Sequence, residues 1–452
     1  MRARTAIPGA ATARGRGRRR IAALALCWCC APAARAQAAA APPAPADATL
    51  GEELGHGFYS RYNVFGYGVY NGLSKPQSDL NLLDIPRSEY ELDLRPDFSL
   101  TFRQLELGLK PRLAMTHTET DAAFGDRYDR SDSRHRWYLN EAYVRYRFGD
   151  RLTAVYAREN LQWGPASLLS ASNPFNPNNG KNNPNIELPG LDYVRLVAIP
   201  GPAWTLSLIA NTGSGRYGKD DAYSPAANTG ALGVAVSIIG LATRFVDTLT
   251  GKPLASPVFQ KTYAAKLDYT GEGRYFSVIA SYREHDAGRL GAFGGWDASD
   301  ALLLYGEGSV ASTVPLSRDQ PRDIRLLAGA AYTLAGGATV TAEYFSNHAG
   351  CLRAPVILCA ATAWVQPQLP LLRRRYELLQ YVDTKIGGNT NVLLRLIRDA
   401  DDRSYQASVN IEYELGEHWQ LYLTPTLSNG SVGSEFGTLP KRAVFLGASY
   451  TF

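Results

Sequence analysis

The sequence predicts an all-β fold: a transmembrane antiparallel β-barrel of about 18 strands, within 16 to 20, with short periplasmic turns and long extracellular loops. Three observations predict it. Segments of about 9 to 11 residues alternate apolar with polar residues, which is the length and period of a strand crossing a bilayer. Short and long connections alternate between them. The 452 residues include 26 Tyr and 42 Gly, yet no stretch of the roughly 18 consecutive apolar residues needed by a spanning helix. The longest apolar run, ALGVAVSIIGLA at 231–242, is broken by Gly and Ser.

At the amino terminus, five arginines (Arg14, Arg16, Arg18, Arg19, Arg20) precede an apolar run from Ile21 to Cys30 and the small-residue site Ala34-Arg35-Ala36. This reads as a secretory signal peptide over residues 1–36, of the Sec type. Eight of the 47 basic residues and none of the 42 acidic ones fall within it. The remaining chain therefore carries 39 basic against 42 acidic residues, a net charge of −3. The apparent basicity belongs to the targeting segment, and no nucleic-acid partner is expected. Residues 37–57, opening QAAAAPPAPAD, read as a flexible periplasmic segment, and 58–452 as the barrel.

The first strand is expected within FYSRYNVFGYGVY at 58–70. In EYELDLRPDFSLTF (89–102), Tyr90, Leu92, Leu94, Phe98, Leu100 and Phe102 share one face, and Glu89, Glu91, Asp93, Arg95 and Asp97 the other. The phase flips at Arg103-Gln104, and Leu105, Leu107, Leu109, Leu113 and Met115 continue on odd numbers, which requires a tight hairpin. Further hairpins turn through GDR, PGP, TGEG, AGGA and GEH. Long polar connections at 118–135, 161–190, 212–229 and 346–375 separate them. Segments near 241–249 and 290–297 show the alternation only weakly. A soluble sandwich or propeller would also bury alternating strands, but no repeat of about 40 residues is present.

A barrel this wide cannot fill its interior with side chains alone, so its polar face lines a lumen or is plugged. The pore-lining candidates are Arg95, Glu141, Arg145, Arg147, Lys266, Asp268, Arg283, Arg325, Glu343, Arg395, Asn410 and Glu412. Both signs are present, and arginines facing carboxylates across a constriction would set up a transverse field. The most distinctive loop is LQWGPASLLSASNPFNPNNGKNNPNIELPG (161–190), with Trp163, Asn173, Phe175, Asn176, Asn178 and Asn179 as the candidate constriction and solute-binding set. Its amides either cap turns of a compact loop or meet solute hydroxyls in the lumen, with aromatic faces for stacking. Insertion of the loop is expected because it is long and not strongly charged.

Of the five cysteines, only Cys351 and Cys359 lie outside the signal segment, and a disulfide between them is expected in an exported protein. The six histidines form no His-Glu-x-x-His arrangement. His117 and His135 flank an acidic loop with Asp121, Asp126, Asp129 and Asp132, which reads as a solvated rim. No catalytic set, metal site or cofactor is expected.

The terminal AVFLGASYTF places Val444, Leu446, Ala448, Tyr450 and Phe452 on one face. A last strand ending in Phe resembles that of Gram-negative outer-membrane barrels, where Tyr450 and Phe452 would be read by the barrel-assembly machinery. ARENLQWGPASLLSASNPFNP (157–177) and the carboxyl-terminal SNGSVGSEFGTLPKRAVFLGASYTF resemble blocks of porin-like barrels of the alginate-export and capsule-assembly groups. That resemblance implies a barrel in the outer membrane of a Gram-negative bacterium, among lipid and lipopolysaccharide, that handles polar solutes or polysaccharide. Two functions are therefore expected: a porin-like channel for small polar solutes, or a barrel for polysaccharide export or surface binding.

Overall fold

The computed structural model describes residues 49–73, 85–121, 129–176, 187–188, 190–215, 259–284, 288–312, 322–352, 355–356 and 371–452. The signal peptide, the weak segment near 241–249, Asn178, Asn179 and Cys359 lie outside them. A capped helix, α1 (Leu50–Gly57), occupies the end of the segment expected to be flexible. Thr49 and Glu52 form a reciprocal capping box that satisfies its first amide donors.

Eighteen strands follow in sequence order: β1 (Phe58–Gly72), β2 (Ser88–Phe102), β3 (Leu105–Thr120), β4 (Arg130–Arg147), β5 (Leu152–Glu159) and β6 (Leu191–Gly201). Then come β7 (Trp204–Gly213), β8 (Thr262–Gly271), β9 (Arg274–Arg283), β10 (Gly288–Asp297), β11 (Leu302–Ala311) and β12 (Asp323–Thr333). The last are β13 (Thr339–Asn347), β14 (Arg375–Ile386), β15 (Thr390–Asp399), β16 (Tyr405–Leu415), β17 (Trp419–Asn429) and β18 (Arg442–Thr451). Each pairs antiparallel with its sequence neighbours, and β18 pairs with β1 from Asn63↔Thr451 to Gly72↔Arg442. The sheet is therefore a closed barrel without a free edge. The weakly alternating segment at 290–297 is β10.

The β2–β3 turn falls at Arg103-Gln104, where Arg103 takes φ 53°. The hairpins through GDR, PGP, TGEG, AGGA and GEH lie at one end, together with α1 and Phe452, whose amide donates to the Tyr62 carbonyl (2.9 Å), while the opposite end carries the long connections and two short ones, β9–β10 and β15–β16. The 118–135 connection is shorter than expected, because β3 runs to Thr120 and β4 starts at Arg130. These two strands continue as a polar ribbon, in which His117 Nδ1 lies 2.8 Å from the Ser133 hydroxyl.

The outward face is apolar: Leu92, Leu94, Val144, Leu196, Leu208, Leu304, Leu421, Val444 and Leu446 all project to the exterior. Aromatic residues border this belt at both ends. Phe148, Trp204, Trp296, Trp419, Tyr450 and Phe452 lie at the turn end, and Tyr70, Tyr90, Tyr263, Tyr282 and Tyr405 at the loop end. Aromatic girdles around an apolar band suit the two interfaces of a bilayer. The best-buried side chains lie inside the barrel, in a large cluster around Leu168, Leu169, Phe345, Tyr376 and Phe436 and a second around Phe175, Tyr193 and Ile279.

Candidate functional site

The segment that follows β5 turns into the barrel. Gly164 takes φ +84°, which allows the chain to bend inward beside the Glu307 carboxylate. From there residues 166–176 are buried. On the outward leg Trp163 packs against the cluster around Phe175 and Tyr193, with Lys266 Nζ of β8 5.5 Å from its ring. The tip reaches β13 and β15, across the ring from β5. There Glu343 accepts the Ser167 amide (2.5 Å), the Leu168 amide (2.8 Å) and the Tyr305 hydroxyl (2.5 Å). Arg395 Nη2 donates to the Ser167 carbonyl (3.1 Å).

On the return leg, Glu307 of β11 accepts the Ser172 amide (2.9 Å), the Ser172 hydroxyl (2.7 Å) and the Ser170 hydroxyl. The Ser309 hydroxyl donates to the Ala171 carbonyl (2.7 Å) and Arg283 Nη2 to the Pro174 carbonyl (3.0 Å). Both legs thus lie along the inner wall from β6 to β15. The buried backbone amides of the tip find fixed carboxylate acceptors, as a non-helical segment inside a barrel must.

One glycine makes the Glu343 contact possible. A Cβ at Gly329 on β12 would stand 2.3 Å from the Tyr305 ring, so only glycine lets that ring lie across the strand toward Glu343. Gly329→Val is expected to displace Tyr305 and loosen the tip. Hydrogen exchange at Ser167 and Leu168 checks it, and unchanged protection would refute it.

The other end of the loop returns to a different part of the wall. Glu187 is held by Arg112 of β3 through two bonds, Nε to Oε2 and Nη2 to Oε1, both 2.7 Å. Arg112 also donates to the Pro96 and Pro111 carbonyls (2.9 Å each) and to Asp97 (2.9 Å). Pro111 has no N–H to give the ladder, and the β3–β4 register shifts there, leaving Asn140 as an extra residue. The bulge keeps Glu141 on the inner face beside Lys110, with which it pairs.

The pore-lining candidates face inward, but the expected field of arginines opposite carboxylates is corrected. Most of the charged candidates sit beside a counter-charge on the same stretch of wall. Arg95 pairs with Asp93 (2.7 Å) and covers the Phe65 ring; Arg145 and Arg147 reach Glu106 (2.9 and 3.6 Å); Lys266 pairs with Asp268. Asp323 takes both Arg325 (2.8 Å) and Arg289 (2.7 Å). Glu343, Arg395 and Arg283 hold the inserted segment, Glu412 accepts from Gln420 (3.4 Å), and Asn410 is buried.

Three of the six loop candidates, Asn173, Phe175 and Asn176, are turned to the protein. Phe175 is 2% exposed and packed edge-on against Trp163 and Tyr193, so it offers no face to a solute. Asn173 accepts the Phe175 and Asn176 amides and donates to the Leu161 carbonyl, and Asn176 donates to Asn160. Those amides cap turns. Cys351 is disulfide-bonded. Arg112, Glu187 and Glu307 were not among the sequence candidates. Arg112 and Glu307 lie on the polar phase of their strands, whereas Glu187 carries no sequence signal beyond its loop.

No protein-family model and no curated protein matches the sequence. Solved structures do. The chain is similar to OccAB1 of Acinetobacter baumannii, with 9% identity, a TM-score of 0.53, and 87% of this chain and 96% of that one covered. OccK7 (OpdD) of Pseudomonas aeruginosa matches at 11% identity and TM-score 0.51, covering 87% and 98%. OccK3 (OpdO) of the same species matches at 12% and 0.50, covering 87% and 95%. At these identities the likeness is one of fold, the 18-stranded barrel. The narrower resemblance to alginate-export and capsule-assembly barrels finds no support.

Proposed function

We propose that the protein is a porin-like channel that passes small polar solutes across the outer membrane of a Gram-negative bacterium. The observation that carries this reading is a closed barrel, apolar outside and polar inside, whose bore is narrowed by a segment of its own chain bonded to the wall. A structural plug alone does not require a lumen lined by charges of both signs. Paired charges instead give a polar path whose local field alternates over short distances, suited to hydrated solutes of modest charge. In this reading the aromatic borders seat the barrel among lipid and lipopolysaccharide, the signal peptide directs Sec-type export, and Tyr450 and Phe452 serve the barrel-assembly machinery. The polysaccharide alternative loses part of its motive, because Phe175 and the Asn173 and Asn176 amides are turned toward the protein.

The test is conductance of the purified barrel in planar bilayers. Stepwise, ohmic current increments are expected, together with permeation of small sugars or amino acids into liposomes. A properly folded barrel that neither conducts nor passes solutes sinks the proposal.

A further inference from the structure

At the loop end of β13 to β18, three connections meet around a single carboxyl group. Glu435, in the β17–β18 connection, is fully buried. Its Oε1 accepts the Leu372 amide (3.0 Å) from the β13–β14 connection, and its Oε2 accepts the Tyr376 hydroxyl (2.5 Å) from β14. Its own amide donates to Asp402 (2.8 Å) in the β15–β16 connection, and the next amide, of Phe436, donates to the Ser404 hydroxyl (3.1 Å).

The charged groups around it do not balance. Asp402 and the fully buried Asp399 face it from the β15 side. Arg373 faces it from the β13–β14 side, 3.2 Å from Asp402 and 3.9 Å from Asp399. The neighbouring cations turn elsewhere: Arg374 Nε donates to the Gly350 carbonyl (2.9 Å) and Arg375 Nε to Asp401 (2.7 Å), which also accepts the Arg374 and Arg375 amides. Asp399 Oδ1 accepts the Asp401 and Asp402 amides, while its Oδ2 has no hydrogen-bond donor among the described residues. Among the described residues, three buried or half-buried carboxyls thus share one guanidinium, and ionising all of them would place surplus negative charge in a largely buried site.

We propose that Glu435 is a proton-operated latch joining three loops at the mouth of the barrel, fastened while its carboxyl is neutral and released when it ionises. The consequence reaches the lumen, because Phe436 and Leu439 belong to the same buried cluster as Leu168 and Leu169 at the tip of the inserted segment. Release of the β17–β18 connection uncovers that tip.

Burial pushes the Glu435 carboxyl up from the usual 4.5 to about 7; the Asp402 charge adds to the rise, while the bonds from Tyr376 and Leu372 and the charge of Arg373 oppose it. An acid whose value is raised in the fastened state favours that state most at low pH. The latch is at full strength below about 4.5, weakens as pH rises through about 7, and changes little beyond.

The test is hydrogen exchange of the intact protein in detergent at pH 5 to 8, with rates corrected for intrinsic base catalysis. This reads the latch whether or not the barrel conducts; its effect on current rests on the channel reading. Protection at Leu372 and Phe436 is expected to fall roughly tenfold per pH unit up to about 7 in the wild type, and to fall less steeply in Glu435→Gln, where the facing, fully buried Asp399 carboxyl remains. Tyr376→Phe removes a donor to the ionised form and is expected to move the midpoint to higher pH. A wild type without pH response, an equal response in Glu435→Gln, or an unmoved or lowered midpoint in Tyr376→Phe would overturn the proposal.

Discussion

Replacing both Glu307 and Glu343 by Ala is expected to raise single-channel conductance several-fold while leaving the 18-stranded barrel folded. The two carboxylates accept three backbone amides of the inserted segment, from Ser167, Leu168 and Ser172, besides hydroxyls. A hydrogen bond to a charged group contributes about 1.5–3 kcal/mol, and a buried amide left without an acceptor costs about 1–3 kcal/mol. Burial of Leu168 and Leu169 opposes release with about 1.5–3 kcal/mol each. The two contributions are comparable when one carboxylate is removed, so single variants are expected to flicker between levels. With both removed, the polar loss exceeds the apolar hold and the segment leaves the wall. The wall itself keeps its ladder hydrogen bonds, since neither glutamate side chain contributes to them. An unchanged conductance in the folded double variant would show that the segment does not narrow the path.

Arg112→Ala is expected to make the channel more cation-selective. Arg112 is 2% exposed and joins Glu187 and Asp97 to β3. Removing one partner of a buried ion pair costs about 3–5 kcal/mol, because the remaining charge is left without compensation. Here two carboxylates are left, the Glu187 end of the loop loses its anchor, and the lumen becomes one unit more negative. The reversal potential in a salt gradient should shift toward the cation value, and more so at low ionic strength, where screening is weaker. Arg112→Ala combined with Glu187→Ala restores the charge balance and should bring the potential back. A shift toward anions in the single variant, or no recovery in the double one, contradicts this account.

The wall was far more legible in the sequence than the contents of the lumen, for a physical reason. Lipid on one side and polar surroundings on the other force a period of two onto each strand, so Tyr90, Leu92 and Leu94 announce their face without knowledge of any partner. That signal fades where side chains are missing: β10 contains Gly288, Gly291, Gly294 and Gly295, and its alternation is correspondingly faint. Insertion of the loop followed from its length and low charge, but its docking did not. Ser167 and Arg395 are 228 residues apart, and nothing local marks them as partners. The same holds for Glu187 and Arg112, 75 residues apart. Phe175 and the Asn173 amide were legible as residue types able to meet a solute, but the fold turns Asn173 to neighbours within the segment and Phe175 to Trp163 and to Tyr193 of the wall. Helix α1 was overlooked because its capping box follows an Ala- and Pro-rich stretch that reads as a tether.

The segment that narrows the bore is made early in the chain, yet every wall residue that fastens its tip comes later, Glu307 135 residues beyond Ser172 and Arg395 228 residues beyond Ser167. Its docking site does not exist until strands β11 to β15 stand in place. The narrow bore is therefore a late product of assembly, and a half-formed wall carries the segment loose, with its amides in water. Accordingly, the time at which the pore acquires its final width is set by the second half of the polypeptide. A lesion in β13 or β15 then delays or prevents the narrowing even when the segment itself is intact.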